Sequence, residues 1–250
     1  MKLYLGCETA DIKNYQMHDR VLISYWAFRN RFDPVEWGHE DFFLDSGAFT
    51  AFNSKKTIDI DAYIAFLKKN NIKTYAALDV IYDPIATAKN LAYMEASGLK
   101  PIPVFHYRTP LSELQKLISD HDYIALGGLV PLSMKKKELY SWLDTCFSAL
   151  YAPVRDGKLK VHGFGVSNVE VLKRYPFYSV DSTSWKQGAT FGNVTDFTDG
   201  RMDNLDKNPR YKMLQQKRDW LELNLQNIEA FRKIETFITA LWSKRGIVYP

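Results

Sequence analysis

Short, almost wholly apolar stretches recur along the chain, separated by longer stretches in which apolar residues return every three or four positions. Eight of the short stretches read as strands: Leu3–Leu5, Val21–Tyr25, Phe42–Leu44, Tyr75–Leu78, Ile102–Phe105, Tyr123–Leu126, Val161–Phe164 and Phe177–Val180. Strands that are apolar throughout are strands covered on both faces, as in a parallel sheet wrapped by helices. The intervening segments carry helical spacing. Ile60, Ile64 and Leu67 form one face, Ile85, Ala88 and Ala92 a second, and Leu111, Leu114, Leu117 and Ile118 a third. Leu139, Trp142, Leu143, Cys146, Phe147 and Leu150 form a fourth, and Val169 and Leu172 a short fifth. Gly98, after the second of these helices, suits a C-terminal cap. Strand and helix alternating to eight strands predict a closed (β/α)8 barrel, in one domain over 1–250 with its core over 1–185.

Barrel enzymes place their chemistry at the C-terminal ends of the strands. Those ends carry Asp45, Asp79, His106, the pair Gly127-Gly128, Gly165 and Asp181, so three aspartates, a histidine and bare backbone are expected at one mouth. The stretch Leu44-Asp45-Ser46-Gly47-Ala48-Phe49-Thr50 stands out. It sets a carboxylate at a strand exit beside a small turn, where Gly47 frees the backbone, and an aromatic face. His162 lies inside a strand and reads as structural. Residues 186–206 are polar and rich in turn formers, among them Gly188, Gly192, Asn193, Asp199, Gly200 and Asn204, and predict a long active-site loop. From Pro209 onward Leu214, Leu221, Leu225, Ile228, Phe231, Ile234, Ile238 and Leu241 form an apolar stripe, predicting a long helix, broken once, against the barrel.

Charge changes this picture little. The net +4 is unevenly placed: residues 207–250 hold nine Lys/Arg against four Asp/Glu, a balance of +5 that leaves about −1 for the rest. A basic C-terminal segment is either a solvated helix face or a surface for a polyanion. Cys7 and Cys146 are too few and too far apart for a disulfide framework or a cysteine zinc site, which fits a reducing cytoplasm. No apolar run is long enough to span a bilayer, and the N-terminus lacks the apolar core of a signal peptide.

The order of the strand-end motifs resembles the tRNA-guanine transglycosylase family over roughly residues 42–187. Asp45-Ser46-Gly47-Ala48-Phe49, Ala77-Leu78-Asp79, Ala125-Leu126-Gly127-Gly128-Leu129, Gly163-Phe164-Gly165-Val166 and Val180-Asp181 with Lys186 beyond it each look like one of that family's motifs. The short Ser-Gly-Ala-Phe variant is most similar to the phage and bacterial deazapurine-in-DNA group (DpdA). Departures are the absence of any Cys or His after Asp181, where the tRNA enzymes carry zinc ligands, His106 in place of a glutamine, Ala48 for a glycine and Phe164 for a methionine.

The resemblance implies exchange of guanine in DNA for a 7-deazaguanine base such as preQ0, with tRNA as the second choice of polymer and neither metal nor cofactor. Such exchange needs two displacements at the sugar carbon, as in retaining glycosidases. Asp181 is then expected as nucleophile and Asp45 as general acid/base. Asp79 is expected to accept from the N1 and N2 donors of the base, with Ser46 beside it, and Gly127, Gly128 and His106 to meet O6 or N7. Phe49 and Phe164 are expected to stack on the ring, and Lys186 with the C-terminal helices to meet phosphates. Two alternatives stand beside this: a metal-dependent barrel hydrolase using His106 and Asp181, disfavoured because no His-x-His follows the first strand, and a non-catalytic nucleic-acid-binding barrel.

Overall fold

Seven parallel strands lie side by side in a curled sheet, in the order β3-β2-β1-β7-β6-β5-β4. They are β1 (Lys2–Cys7), β2 (Val21–Ser24), β3 (Phe42–Asp45), β4 (Val104–His106), β5 (Tyr123–Gly127), β6 (Lys160–Gly163) and β7 (Ser179–Ser182). The structure is a computed structural model that describes residues 1–7, 20–30, 42–132, 134–186, 191–205 and 207–249. Gly188, part of the expected active-site loop, lies outside the described residues.

The eighth stave is present but thin. Leu44 bridges Tyr75 and Ala76 bridges Ile102, both in parallel sense. The ladder runs through Leu44 N–H to Thr74 O, Ala76 N–H to Leu44 O, Ala77 N–H to Ile102 O and Ile102 N–H to Tyr75 O, each at 2.8–2.9 Å. These bonds join β3 to the stretch before β4, so the α/β barrel closes with its fourth position held by bridges alone. The expected strand at Tyr75–Leu78 is therefore in place, at the expected position and much reduced.

Period-two alternation sorts each strand into a lumen side and a helix side. Tyr4, Leu22, Phe43, Ala76, Ile102, Val104 and Ala125 pack together inside the ring, with Tyr123 and Phe164 at its ends. Their neighbours Leu3, Leu5, Leu44, Leu126, Val161 and Val180 pack outward against the helices. With Phe43 inward, Asp45 is inward too; on β7 the same rule brings Ser179 and Asp181 to the lumen.

The helices are α1 (Tyr25–Phe28), α2 (Ala48–Asn53), α3 (Ile60–Lys69), α4 (Pro84–Ala96), α5 (Leu111–Asp120), α6 (Lys136–Arg155), α7 (Val169–Arg174), α8 (Pro209–Gln216) and α9 (Trp220–Lys244). Asp59 and Asn168 cap α3 and α7 by accepting backbone N–H groups. Gly98 closes α4 with φ +81°, as its position predicted. The stripes of α6 and α7 are buried or partly buried as expected, and that of α9 is buried along Ile228, Phe231, Ile234 and Ile238 while Leu221 at its start is 43% exposed. The expected stripe of α4 is not buried: Ile85 is 70% exposed, and Thr87 and Met94 are buried in its place. Alanines satisfy a helical period without saying which face is the core, and the expected face rested on two of them.

The 186–206 stretch is not all loop. It contains an antiparallel hairpin, β8 (Thr195–Thr198) and β9 (Arg201–Asn204). Asp199 and Gly200 both have positive φ, 49° and 80°, the two-residue turn for which an Asp-Gly pair is the sequence signal. Asn227 on α9 clamps it, accepting from Thr195 N–H at 2.8 Å and donating to Asn193 O and Trp185 O at 3.1 Å. The C-terminal helices break once, at Lys217–Asp219, where Arg218 has φ +55°. α9 then ties down the start of β1: Leu3 N–H donates to Glu235 at 2.8 Å, and Arg20 pairs with the same carboxylate at 2.8 Å.

Candidate active site

The carboxylates expected at the mouth do converge. The strongest sign is at Asp45, whose carboxyl is pushed up from 3.8 to about 7 by loss of water and by the charges of Asp79 and Asp181. The charges of Asp79 and Asp181 act on it in this way only from nearby, across poorly solvated space. The backbone N–H of Gly47, at 3.0 Å from its Oδ2, and that of Ser46 act in the opposite sense but do not offset the burial.

Asp79, just past the bridged fourth stave, is held by side chains rather than by a ladder. Ser46 Oγ donates to its Oδ1 at 2.9 Å, and His106 Nε2 lies 2.9 Å from its Oδ2. The His106 contact is off hydrogen-bond alignment, since Nε2 is buried without a hydrogen-bond partner among the described residues. Ser24 Oγ is a second such orphan. Ser24 ends β2 directly opposite Asp45. Buried polar atoms without partners are uncommon in proteins. Two beside a carboxylate cluster fit the reception of a polar ligand.

On the far wall Asp181 is 8% exposed. Its Oδ1 accepts from Gly165 N–H at 2.8 Å and lies 3.3 Å from His162 Nε2. Gly165 has φ +67°, and a Cβ there would meet Val130 Cγ2 at 2.5 Å, so the residue that presents this N–H has to be glycine. His162 is fully buried among Tyr4, Phe43 and Phe164.

The other expected residues divide. Gly127 faces His106 across the β4–β5 pairing, and a Cβ on it would meet the imidazole at 3.2–3.3 Å. Gly128, φ +72°, comes close to the Tyr107 backbone. The glycine pair therefore makes room for this loop as well as leaving backbone bare. Phe164 lies edge-on to Phe43 at 5.7 Å and belongs to the lumen packing. Phe49 is on α2 and 47% exposed, so it forms no part of an enclosed slot. Lys186 ends the 3-10 turn after β7 and is half-buried. Two residues that matter here lie outside the expected set. Ser24 ends β2, one residue before the expected end of that strand at Tyr25. His162, expected to be structural, is fully buried inside β6, where it alternates with Val161 and Gly163 to point inward.

A separate cavity of about 680 Å³ opens between α4 and α5, reaching His106 and Gly128 at one end and Glu95 and His121 at the other. The aspartates do not line it. Among the described residues no group of three or more His, Cys, Asp or Glu is arranged to hold a metal ion. No helix among them is long and apolar enough to cross a membrane.

By overall fold the chain is similar to solved mutant tryptophan synthase alpha-subunits from the hyperthermophile Pyrococcus furiosus. One aligns with a TM-score of 0.52 and 14% identity over 92% of this chain and 96% of that one. A second gives 0.51 and 13% over 93% and 97%, and a third 0.50 and 13% over the same shares. Identity this low carries the barrel and nothing finer. No protein-family model and no curated protein matches the chain.

These findings overturn the expectation of a guanine transglycosylase acting on DNA, and the tRNA reading beside it. Solved structures that share the fold include tryptophan synthase alpha-subunits. The physical reason is that Asp-Ser-Gly and Gly-Gly at strand ends are what a barrel mouth asks of any sequence; they place carboxylates and bare backbone without specifying the ligand. Among the described residues, three of the nine basic side chains of the C-terminal segment are in ion pairs. Lys233 pairs with Asp196 at 2.7 Å, Arg210 with Glu222 at 2.8 Å and Arg232 with Glu229 at 3.5 Å. The metal-dependent hydrolase reading is left without a donor set among the described residues.

Proposed function

We propose that this chain is an enzyme that works by carboxylate acid–base catalysis on a small polar ligand held at the barrel mouth. The observation that carries the reading is the unlike environment of two carboxyls in one pocket. Asp45 is pushed up to about 7, which keeps a large share of it protonated at neutral pH. Asp181 faces it with its Oδ1 fixed by a backbone N–H and an imidazole. A carboxyl pushed up by burial and by neighbouring carboxylates is a usual mark of a general acid. The orphan Ser24 Oγ and His106 Nε2 supply further contacts for a ligand's polar groups.

Within this class, glycosyl transfer or hydrolysis on a small glycoside is the chemistry such a pair suits. One carboxyl gives its proton to the leaving group while the carboxylate opposite stabilises positive charge growing on the sugar. The substrate-free test is carbon-13 NMR of the Asp45 carboxyl in the whole protein, where titration near 7 is expected. Titration near 4 removes the proton donor and the reading with it. A panel of small O- and N-glycosides then tests the finer class. Turnover lost in Asp181→Asn supports it, and turnover untouched by that change sinks it.

A further inference from the structure

Behind Asp181 a file of polar groups crosses the lumen of the barrel. Asp181 Oδ1 lies 3.3 Å from His162 Nε2. His162 Nδ1 lies 2.6 Å from Ser179 Oγ, and Ser179 Oγ lies 2.6 Å from the hydroxyl of Tyr123. His162 and Ser179 have no exposed surface, and the walls around them are Tyr4, Phe43 and Phe164. The residues come from adjacent strands: His162 and Ser179 are direct partners in the β6–β7 pairing, and Tyr123 opens β5. A buried polar file of this kind is costly unless each member has a donor matched to an acceptor.

With Asp181 ionised and His162 neutral, one arrangement of the protons matches every contact. An ionised Asp181 can only accept, so His162 Nε2 carries its hydrogen. Nδ1 of the neutral ring is then an acceptor, so Ser179 gives its one hydrogen to it. Ser179 has no second hydrogen, so Tyr123 donates to Ser179. We propose that His162 is a positioning residue for Asp181, locked in the Nε2–H tautomer by Ser179 and Tyr123. This deepens the acid–base reading above and rests on it. Both inward bonds, from His162 and from Gly165 N–H, land on Oδ1. Oδ2 is left as the oxygen that meets the ligand. Charged or titratable groups facing the pair are Asp45 from β3 across the mouth and Tyr4 from β1 beside the imidazole. The imidazole does not touch the reacting atoms; it fixes which oxygen does.

The first test is nitrogen-15 NMR of the His162 ring in the whole protein at neutral pH. An Nε2–H, Nδ1-acceptor ring is expected, and an Nδ1–H ring or an imidazolium overturns the proposal. The second is carbon-13 titration of the Asp181 carboxyl. His162→Ala is expected to raise its midpoint by about one pH unit, since a hydrogen bond to the charged form is lost. His162→Gln, whose amide N–H reaches the same point, is expected to restore it. An unmoved midpoint in His162→Ala, or no recovery in His162→Gln, overturns the positioning role. If neither variant folds, the ring measurement on the unaltered protein still decides. None of these readouts needs turnover, so a failed enzyme reading shows up separately, as activity indifferent to Asp181→Asn.

Discussion

The two walls of this barrel hold their aspartates by different means. On one wall Asp181 sits opposite Tyr4 in the β1–β7 ladder, fixed on one oxygen by Gly165 N–H and by a buried histidine that is itself hydrogen-bonded to Ser179. On the opposite wall the fourth stave is reduced to two bridges, and Asp79 is held by Ser46 and faced by an imperfectly aligned His106. Asp45, beside it, loses water and gains two negative neighbours, while its hydrogen bonds come from the turn that follows it. The same side chain is thus held on one oxygen by an N–H and an imidazole at Asp181, and pushed toward its protonated form by burial and by two neighbouring carboxylates at Asp45. What separates them is the kind of group that surrounds each carboxyl.

Replacing the carboxyl at Asp181 is expected to do most. Asp181→Asn keeps shape and removes charge, and turnover of any substrate found for the site should fall about 10³-fold or more. Circular dichroism should stay unchanged, and a loss under tenfold would erase the contrast between the walls.

Asp45→Asn comes next, with an expected fall of about 10²–10³ in kcat/KM. In the unaltered protein the rate should drop as pH rises past about 7, where Asp45 ionises, and this limb should vanish in the variant. The stability effect has a definite sign. Between 3.8 and about 7 the native Asp45 binds more proton than the unfolded chain, so its contribution is full below 3.8 and is lost as pH rises through 7. Urea midpoints should show Asp45→Asn more stable at pH 8 by on the order of 1–2 kcal/mol, the full shift being discounted because Asp45 borders the solvent-accessible mouth.

Gly165→Ala sharpens the comparison from the backbone side. The strained φ and the clash with Val130 should cost about 1–3 kcal/mol in denaturant unfolding. They should also loosen the N–H on Asp181, so activity should fall further than stability alone accounts for. The smallest effect is expected for Phe49→Ala. Half-exposed on α2, Phe49 should change stability by no more than about 0.5 kcal/mol. A large loss of ligand affinity there would return Phe49 to the site.

Much of the barrel could be read before the structure was known. Parallel strands buried on both faces must be apolar, so Leu3, Ile23, Leu44, Ile124 and Val161 announce themselves. Asp45, Asp79 and Asp181 could be read as a group because each follows such a run. The helix face of α4 could not, since alanines fit either side. The hairpin at 195–204 could have been found from Asp199-Gly200 but was masked by the polar character of its strands, β9 being exposed throughout.

By itself the sequence determined the alternation of strand and helix and the meeting of carboxylates at one end. Local apolar periodicity and the topology of parallel strands leave few other ways to bury those runs. The tertiary structure alone decided which carboxyl is pushed up and which inward side chains touch Asp181. It also left Ser24 Oγ and His106 Nε2 without an aligned hydrogen-bond partner among the described residues. Those outcomes depend on distances between residues on different strands and on the water each loses when the ring closes. Neither quantity is written in any single stretch of the chain.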